Sequence, residues 1–110
     1  LREADEEIGL KAKDIQILGR IYEVRTVTDF QITPIVGIFP WAYAFTISTL
    51  EVARVFTMPI NWLSDSKNYW KFQHPKAHHP TIAYHPYDGE LLWGATARIT
   101  VNFLKTILQI

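Results

Sequence analysis

Within its first seven residues the chain carries the carboxylates Glu3, Asp5, Glu6 and Glu7, on a segment that the sequence predicts to be a helix ending at Gly9. The C-terminus of a helix is already the negative end of the backbone dipole, so Glu6 and Glu7 there cost about 0.3 to 1 kcal/mol each when exposed. Folding alone would favour Lys or Arg at those positions. Glu3, Glu6 and Glu7 stand at i, i+3 and i+4 and share one helical face, so their charges repel unless something positive lies among them. A hard divalent cation with an all-oxygen shell suits such a cluster; Mg²⁺ binds through one or two carboxylates and keeps several waters. Arg2 precedes Glu6 by four residues, the order that supports a helix less than its reverse, and it is read as orienting the Glu6 carboxylate, with a solvent-facing arginine as the alternative. The plain alternative for the whole segment is a solvated acidic helix end, the usual use of a charge run.

Several elements must position these residues. Lys11 to Asp14 reads as a polar turn, and Ile15 to Tyr22 alternates as a strand. Thr26 to Asp29 is loop-like, and Phe30 to Phe39 is β-branched and aromatic but interrupted at Pro34, which cannot donate to a ladder. Pro40 to Thr49, where Trp41, Tyr43 and Phe45 alternate with small residues, is either a continued strand or an apolar flap over a cleft. Glu51 to Met58 is a further strand candidate, and Pro59 opens a short helix through Leu63. Asn68 to Gln73 and Thr81 to His85 read as two short strands joined by His74 to Pro80; Pro86 to Gly89 is a turn signal that predicts a hairpin. From Gly94 to Ile110 the residues Ile99, Val101, Phe103, Leu104, Ile107 and Leu108 recur at helical spacing. Strands with helices at the start, middle and end point to the α+β class or an αβα sandwich.

The run Arg2-Glu3-Ala4-Asp5-Glu6-Glu7-Ile8-Gly9-Leu10 resembles the second half of the Nudix box, G-x5-E-x7-R-E-U-x-E-E-x-G-U with U aliphatic, and meets each fixed position from the arginine onward. Downstream, the runs from Phe30 to Gly37, from Glu51 to Phe56 with Met58-Pro59, and from Leu92 to Ala97 resemble one Nudix branch, the coenzyme A pyrophosphatases, in order and spacing. The box's glycine and first glutamate, and the branch's own signature, would fall upstream of Leu1, so the expectation is a single, partial Nudix domain over residues 1–110 of a longer protein. The resemblance implies an αβα sandwich with a mixed β-sheet, its N-terminal part missing. An exposed sheet edge and an uncovered apolar face would then favour aggregation of the isolated piece.

The same resemblance implies hydrolysis of a diphosphate linkage in a nucleoside diphosphate derivative. Coenzyme A or acyl-CoA leads, giving 3′,5′-ADP and (acyl-)4′-phosphopantetheine. Another Nudix pyrophosphatase, acting on ADP-ribose for example, and a non-catalytic nucleotide-binding module are the alternatives. Mg²⁺ or Mn²⁺ is the implied cofactor, held by Glu6 and Glu7 first and Glu3 next, bridging the diphosphate, offsetting its charge and activating a water. Glu6 therefore counts as catalytic, Arg2 as its orienting partner, and Glu51 as the base that this family often supplies from a loop outside the box. A surface glutamate at a strand end is the alternative for Glu51. Arg25, ahead of Phe30, is the candidate for an anionic substrate group, with an ordinary loop arginine as the alternative. Many Nudix proteins dimerise, which leaves a homodimer open.

Composition narrows the remaining classes. A chain of 110 residues that is 48% hydrophobic and 14% aromatic has the size and content of one globular domain. Its 11 basic and 11 acidic side chains cancel, so no net field draws it to nucleic acid or an anionic membrane; a small-molecule partner is expected. The absence of cysteine excludes disulfides and thiolate metal sites and fits a reducing compartment. A cytoplasmic location is therefore expected, with organellar targeting left open. No apolar run reaches membrane-spanning length. His74, His78, His79 and His85 lack metal-ligand spacing and are read as structural or surface residues. Trp41, Trp62, Trp70 and Trp93 are read as core in preference to adenine-stacking platforms.

Overall fold

The computed structural model describes residues 1–21, 23–25, 31–73, 75–76 and 80–108. The readings of Tyr22, Thr26 to Asp29, Phe30, His74, His78, His79 and Ile110 lie outside these. The chain forms two compact units, one of residues 1–20 and 35–57, the other of residues 21–34 and 58–110.

The first unit opens with helix α1 (Arg2–Ile8). Ala and Glu dominate it, both good helix formers, and Gly9 stops it in the left-handed region at φ 72°. A short 3₁₀ turn, Ala12–Asp14, occupies the predicted polar turn. Strand β1 (Gln16–Arg20) pairs antiparallel with β4 (Ile35–Ile38), Gln16 opposite Ile38 and Arg20 opposite Ile35, with a bulge between Ile17 and Gly19. A Cβ on Gly37 would lie 2.6 Å from the Ile15 side chain, so this register requires glycine there. The pair leaves Ile17, Leu18, Ile35 and Ile38 exposed. Phe39, Tyr43 and Phe45 form a cluster of rings with centroids 5.4 to 5.9 Å apart, within the range where aromatic edges and faces attract.

In the second unit, β2 (Val24–Arg25) pairs antiparallel with β3 (Gln31–Ile32). Helix α2 (Ile60–Ser64) follows Pro59, which stands at its N-cap. Strands β5 (Tyr69–Phe72) and β6 (Thr81–Tyr84) pair antiparallel, Tyr69 opposite Tyr84 and Phe72 opposite Thr81. The predicted hairpin is a two-residue turn in which Asp88 (φ 50°) and Gly89 (φ 79°) lie between Tyr87 and Glu90, which exchange both backbone hydrogen bonds. Two positive φ values mark the turn type whose twist suits flanking strands. Helix α3 (Gly94–Leu108) closes the chain, and its buried residues Ala97, Val101 and Leu104 recur at i, i+4 and i+7. Ile82 and Tyr84 of β6 form the core with Ala97 and Val101, and Trp62, Leu63, Tyr69 and Leu92 pack around them.

Helices and strands together give the expected α+β class. Among the described residues every strand pair is antiparallel, and β2–β3 and β5–β6 join successive strands. Some expectations are corrected. Glu51 to Met58 forms no strand, because the Glu51 and Val52 amides turn back to the Ser48 carbonyl at 3.1 and 2.8 Å and are unavailable to a ladder. The stretch from Pro40 to Thr49 likewise holds no strand. Of the four tryptophans only Trp62 packs on the core; Trp41, Trp70 and Trp93 are exposed. Trp70 alternates with Tyr69 on β5, and a strand sends consecutive side chains to opposite faces. Ile107 and Leu108 are exposed at the last turn of α3, beyond the strand that covers its middle. Among the described residues no helix is long and apolar enough to cross a membrane.

Candidate functional site

The acidic face is built on α1, in the first unit. Glu3 and Glu6 are exposed and Glu7 is half-buried. Arg2 lies between two of the carboxylates, its Nη2 3.6 Å from Glu3 Oε1 and its Nε 3.8 Å from Glu6 Oε1. The positive charge that the cluster requires is thus supplied in part from within the helix. Both contacts are longer than a charge-assisted hydrogen bond and face solvent, where such pairs contribute only ~0–1 kcal/mol. They orient the carboxylates more than they hold the helix. A backbone N–H donated to the Glu3 carboxylate, helped by the Arg2 charge, holds that carboxyl below its usual range. Asp5, two residues from Glu3 and so off the shared face, forms an ion pair with Lys11, and that hydrogen bond, ahead of the Asp5 charge itself, raises the Lys11 pKa.

The far end of α1 explains how two glutamates are tolerated beside a negative helix terminus. Gly9 and Leu10 turn their amides back to the Asp5 and Ala4 carbonyls at 2.9 and 3.2 Å. From the irregular segment downstream, Thr46 donates its amide to the Ile8 carbonyl at 2.8 Å and Ser48 donates to the Glu7 carbonyl at 2.7 Å. These N–H groups satisfy the carbonyls that every helix end leaves unpaired and offset its partial negative charge. The same segment is held at Tyr43, whose hydroxyl donates to Asp14 Oδ2 at 2.6 Å and accepts the Lys11 amide at 3.1 Å. The Asp14 bond is the leading cause of the raised Tyr43 pKa.

Glu51 follows Ser48 by one turn, with its amide bonded to the Ser48 carbonyl. Its backbone is therefore anchored through Ser48 to the residue that carries the Glu7 side chain. The structure brings Arg2, Glu3, Glu6, Glu7 and Glu51 into one unit. Arg25 lies exposed on β2 in the other unit and is not among them. Three elements of this arrangement carry no sequence signal. The Thr46 and Ser48 contacts are made by backbone amides, which no residue type marks, and Lys11 reaches Asp5 across a glycine turn at a spacing that fits no helical rule.

The donor set is all carboxylate oxygen, which suits Mg²⁺ or Mn²⁺ and excludes a thiolate-loving ion. Among the described residues no three acidic or histidine side chains are already gathered into a metal-holding group; Glu3 and Glu6 are turned to Arg2 instead. His85 stacks on Trp70 with ring centroids 4.8 Å apart.

Gly9 connects the helix stop to the docked segment. A Cβ there would meet Thr46 Cβ and N at 3.0 Å, and the residue holds a positive φ. Left-handed backbone costs a non-glycine residue about 1–2 kcal/mol before any clash. Gly9→Ala is expected to destabilise the first unit by about 2 kcal/mol or more, read as a lower denaturant midpoint by circular dichroism. An unchanged midpoint would show that Thr46 yields without loss.

No family model matches the chain. It is similar to the uncharacterised Nudix hydrolase NudL of Yersinia enterocolitica, 34% identical over 100 residues that make up 90% of this chain and 51% of the relative. The NudL protein of Cronobacter sakazakii is 35% identical over 100 residues (90% and 52%), and that of Enterobacter sp. strain 638 is 36% identical over 104 residues (90% and 52%). The chain thus spans about half the length of these curated relatives.

Proposed function

We propose, from the premise that the chain belongs to the Nudix hydrolase family, that residues 1–110 are part of a domain that hydrolyses a diphosphate linkage in a nucleoside diphosphate derivative, coenzyme A or acyl-CoA foremost. The observation that carries this reading is the docking of Thr46 and Ser48 on the Ile8 and Glu7 carbonyls, which ties the Glu51 backbone to the acidic helix. In this reading Glu6 and Glu7, with Glu3, hold Mg²⁺ or Mn²⁺, an ion that when bound offsets diphosphate charge and makes a water more acidic. Arg2 keeps Glu3 and Glu6 oriented. Glu51 accepts a proton from the attacking water as its oxygen bonds to phosphorus and the bridging P–O bond breaks. The products are 3′,5′-ADP and (acyl-)4′-phosphopantetheine. Arg25 is assigned to an anionic group of the substrate.

The test is a substrate comparison on the full-length protein, with coenzyme A and ADP-ribose at equal concentration, Mg²⁺ or Mn²⁺ present, and products separated by chromatography. Faster turnover of coenzyme A is expected. Faster ADP-ribose turnover reassigns the substrate, and calorimetric uptake of ligand without product reassigns the protein to a binding module. Glu51→Gln is expected to lower kcat by about 100-fold, the scale of a lost general base. Wild-type turnover in that variant would remove Glu51 from the reaction.

A further inference from the structure

In the second unit a cavity of about 240 Å³ opens between the β5–β6 pair and α3, lined by Lys71, Pro80, Ile82, Arg98, Val101, Asn102 and Lys105. Its polar side chains are three cations and one amide, and no carboxylate is among these lining residues. This is a local excess in a chain whose charges cancel overall. Arg98, Asn102 and Lys105 stand at i, i+4 and i+7 on α3 and so form one ridge. Lys71 enters from β5, in register with Ile82.

Three cations around one small cavity repel one another, and an anion seated there would relieve the repulsion. Arg98 is positioned for such a role: its Nη1 donates to the Pro80 carbonyl at 3.3 Å. That contact orients a guanidinium whose fork carries five donors and matches phosphate oxygens. The Asn102 amide adds a neutral donor. Ile82 and Val101 are buried beneath, an apolar floor that suits the carbon scaffold of an ester better than a second charge.

We propose that this cavity is a binding site for a phosphate monoester, with the phosphate on Arg98, Lys105 and Lys71 and part of the attached scaffold over Ile82 and Val101. The inference draws on neither α1 nor the proposed hydrolysis and stands independently of both.

The test titrates the full-length protein, followed by amide NMR, with inorganic phosphate, ribose 5-phosphate and, at matched ionic strength, sodium chloride. Saturable shifts at Lys71, Arg98, Asn102 and Lys105 with both phosphates, tighter for ribose 5-phosphate, are expected. Arg98→Gln and Lys105→Gln, with unchanged circular dichroism, are each expected to weaken binding about tenfold, the effect of losing one charge-assisted hydrogen bond. Lys105 is exposed, so its variant reports on binding even if Arg98→Gln perturbs the fold. Shifts reproduced by chloride, or equal affinity in the Lys105→Gln protein, overturn the site. Equal affinity for the two phosphates overturns the role given to the apolar floor.

Discussion

Glu6→Gln or Glu7→Gln, made in the full-length protein, is expected to lower the proposed diphosphate hydrolysis by about 100-fold or more while leaving the fold as stable as before or slightly more so. The two effects have opposite signs for one physical reason. A glutamate near the C-terminus of α1 costs at most about 0.3 to 1 kcal/mol against the helix dipole, less where the Thr46 and Ser48 amides offset that end, and glutamine removes the remaining cost with nearly the same shape. Glu6→Gln also gives up the exposed Arg2 pair, worth about 0.3–0.5 kcal/mol, so its stability should hardly change. Glu7 has no ion pair with Arg2 among the described contacts, so Glu7→Gln should gain a little. Catalysis moves the other way, since a carboxamide is a weaker donor to a divalent ion and cannot match a carboxylate's charge. Mn²⁺ affinity, measured by calorimetry, should fall together with kcat. A Glu7→Gln protein that is less stable yet fully active would show that the acid serves folding and would remove it from the site.

Tyr84→Ala is expected to cost the second unit about 3–5 kcal/mol, the range for deleting a buried aromatic ring. Tyr84 is fully buried, its ring centroid is 5.7 Å from that of Trp62 and 5.2 Å from that of Tyr69, and its hydroxyl donates to the Leu63 carbonyl at 2.8 Å. Loss on that scale is a large share of the 5–15 kcal/mol typical of a domain. Tyr84→Phe keeps the ring and should cost less, about 1–3 kcal/mol, by leaving the Leu63 carbonyl without its donor. Urea titrations of both variants separate ring from hydroxyl; near-equal midpoints would contradict the packing described.

Tyr84 also sets a limit at high pH. Burial, followed by the nearby Tyr69, pushes its pKa from the ordinary 10.0 up to about 12. A neutral phenol is favoured in the folded state, so the contribution is complete below pH 10 and is lost as pH rises from 10 towards 12. A stability profile in that window should steepen for wild type relative to Tyr84→Phe.

Much of the fold was legible because it rests on local chemistry. Gly9 as helix stop, Asp88-Gly89 as a two-residue turn, Pro34 as a break and the buried stripe of α3 all follow from backbone preferences or side-chain period over a few residues. The Glu51 to Met58 strand was misread because alternation in the sequence says nothing of whether a partner ladder exists, and here the Ser48 carbonyl takes the first two amides. The tryptophans were misread for a related reason: a large apolar ring is buried only where enough of another element covers it, and Trp41, Trp70 and Trp93 stay exposed.

At the acidic helix the division is sharper. Residue type and spacing alone determined that Glu3, Glu6 and Glu7 share a face, that Arg2 falls within reach of Glu6 and that the helix ends at Gly9, because a helix repeats every 3.6 residues whatever surrounds it. Only the tertiary structure decided that Thr46 and Ser48 offset the charge of the helix end and that the Glu51 backbone is tied through Ser48 to Glu7. Those contacts form between segments distant in the chain, through backbone N–H groups that every residue but proline carries and that leave no mark in the sequence.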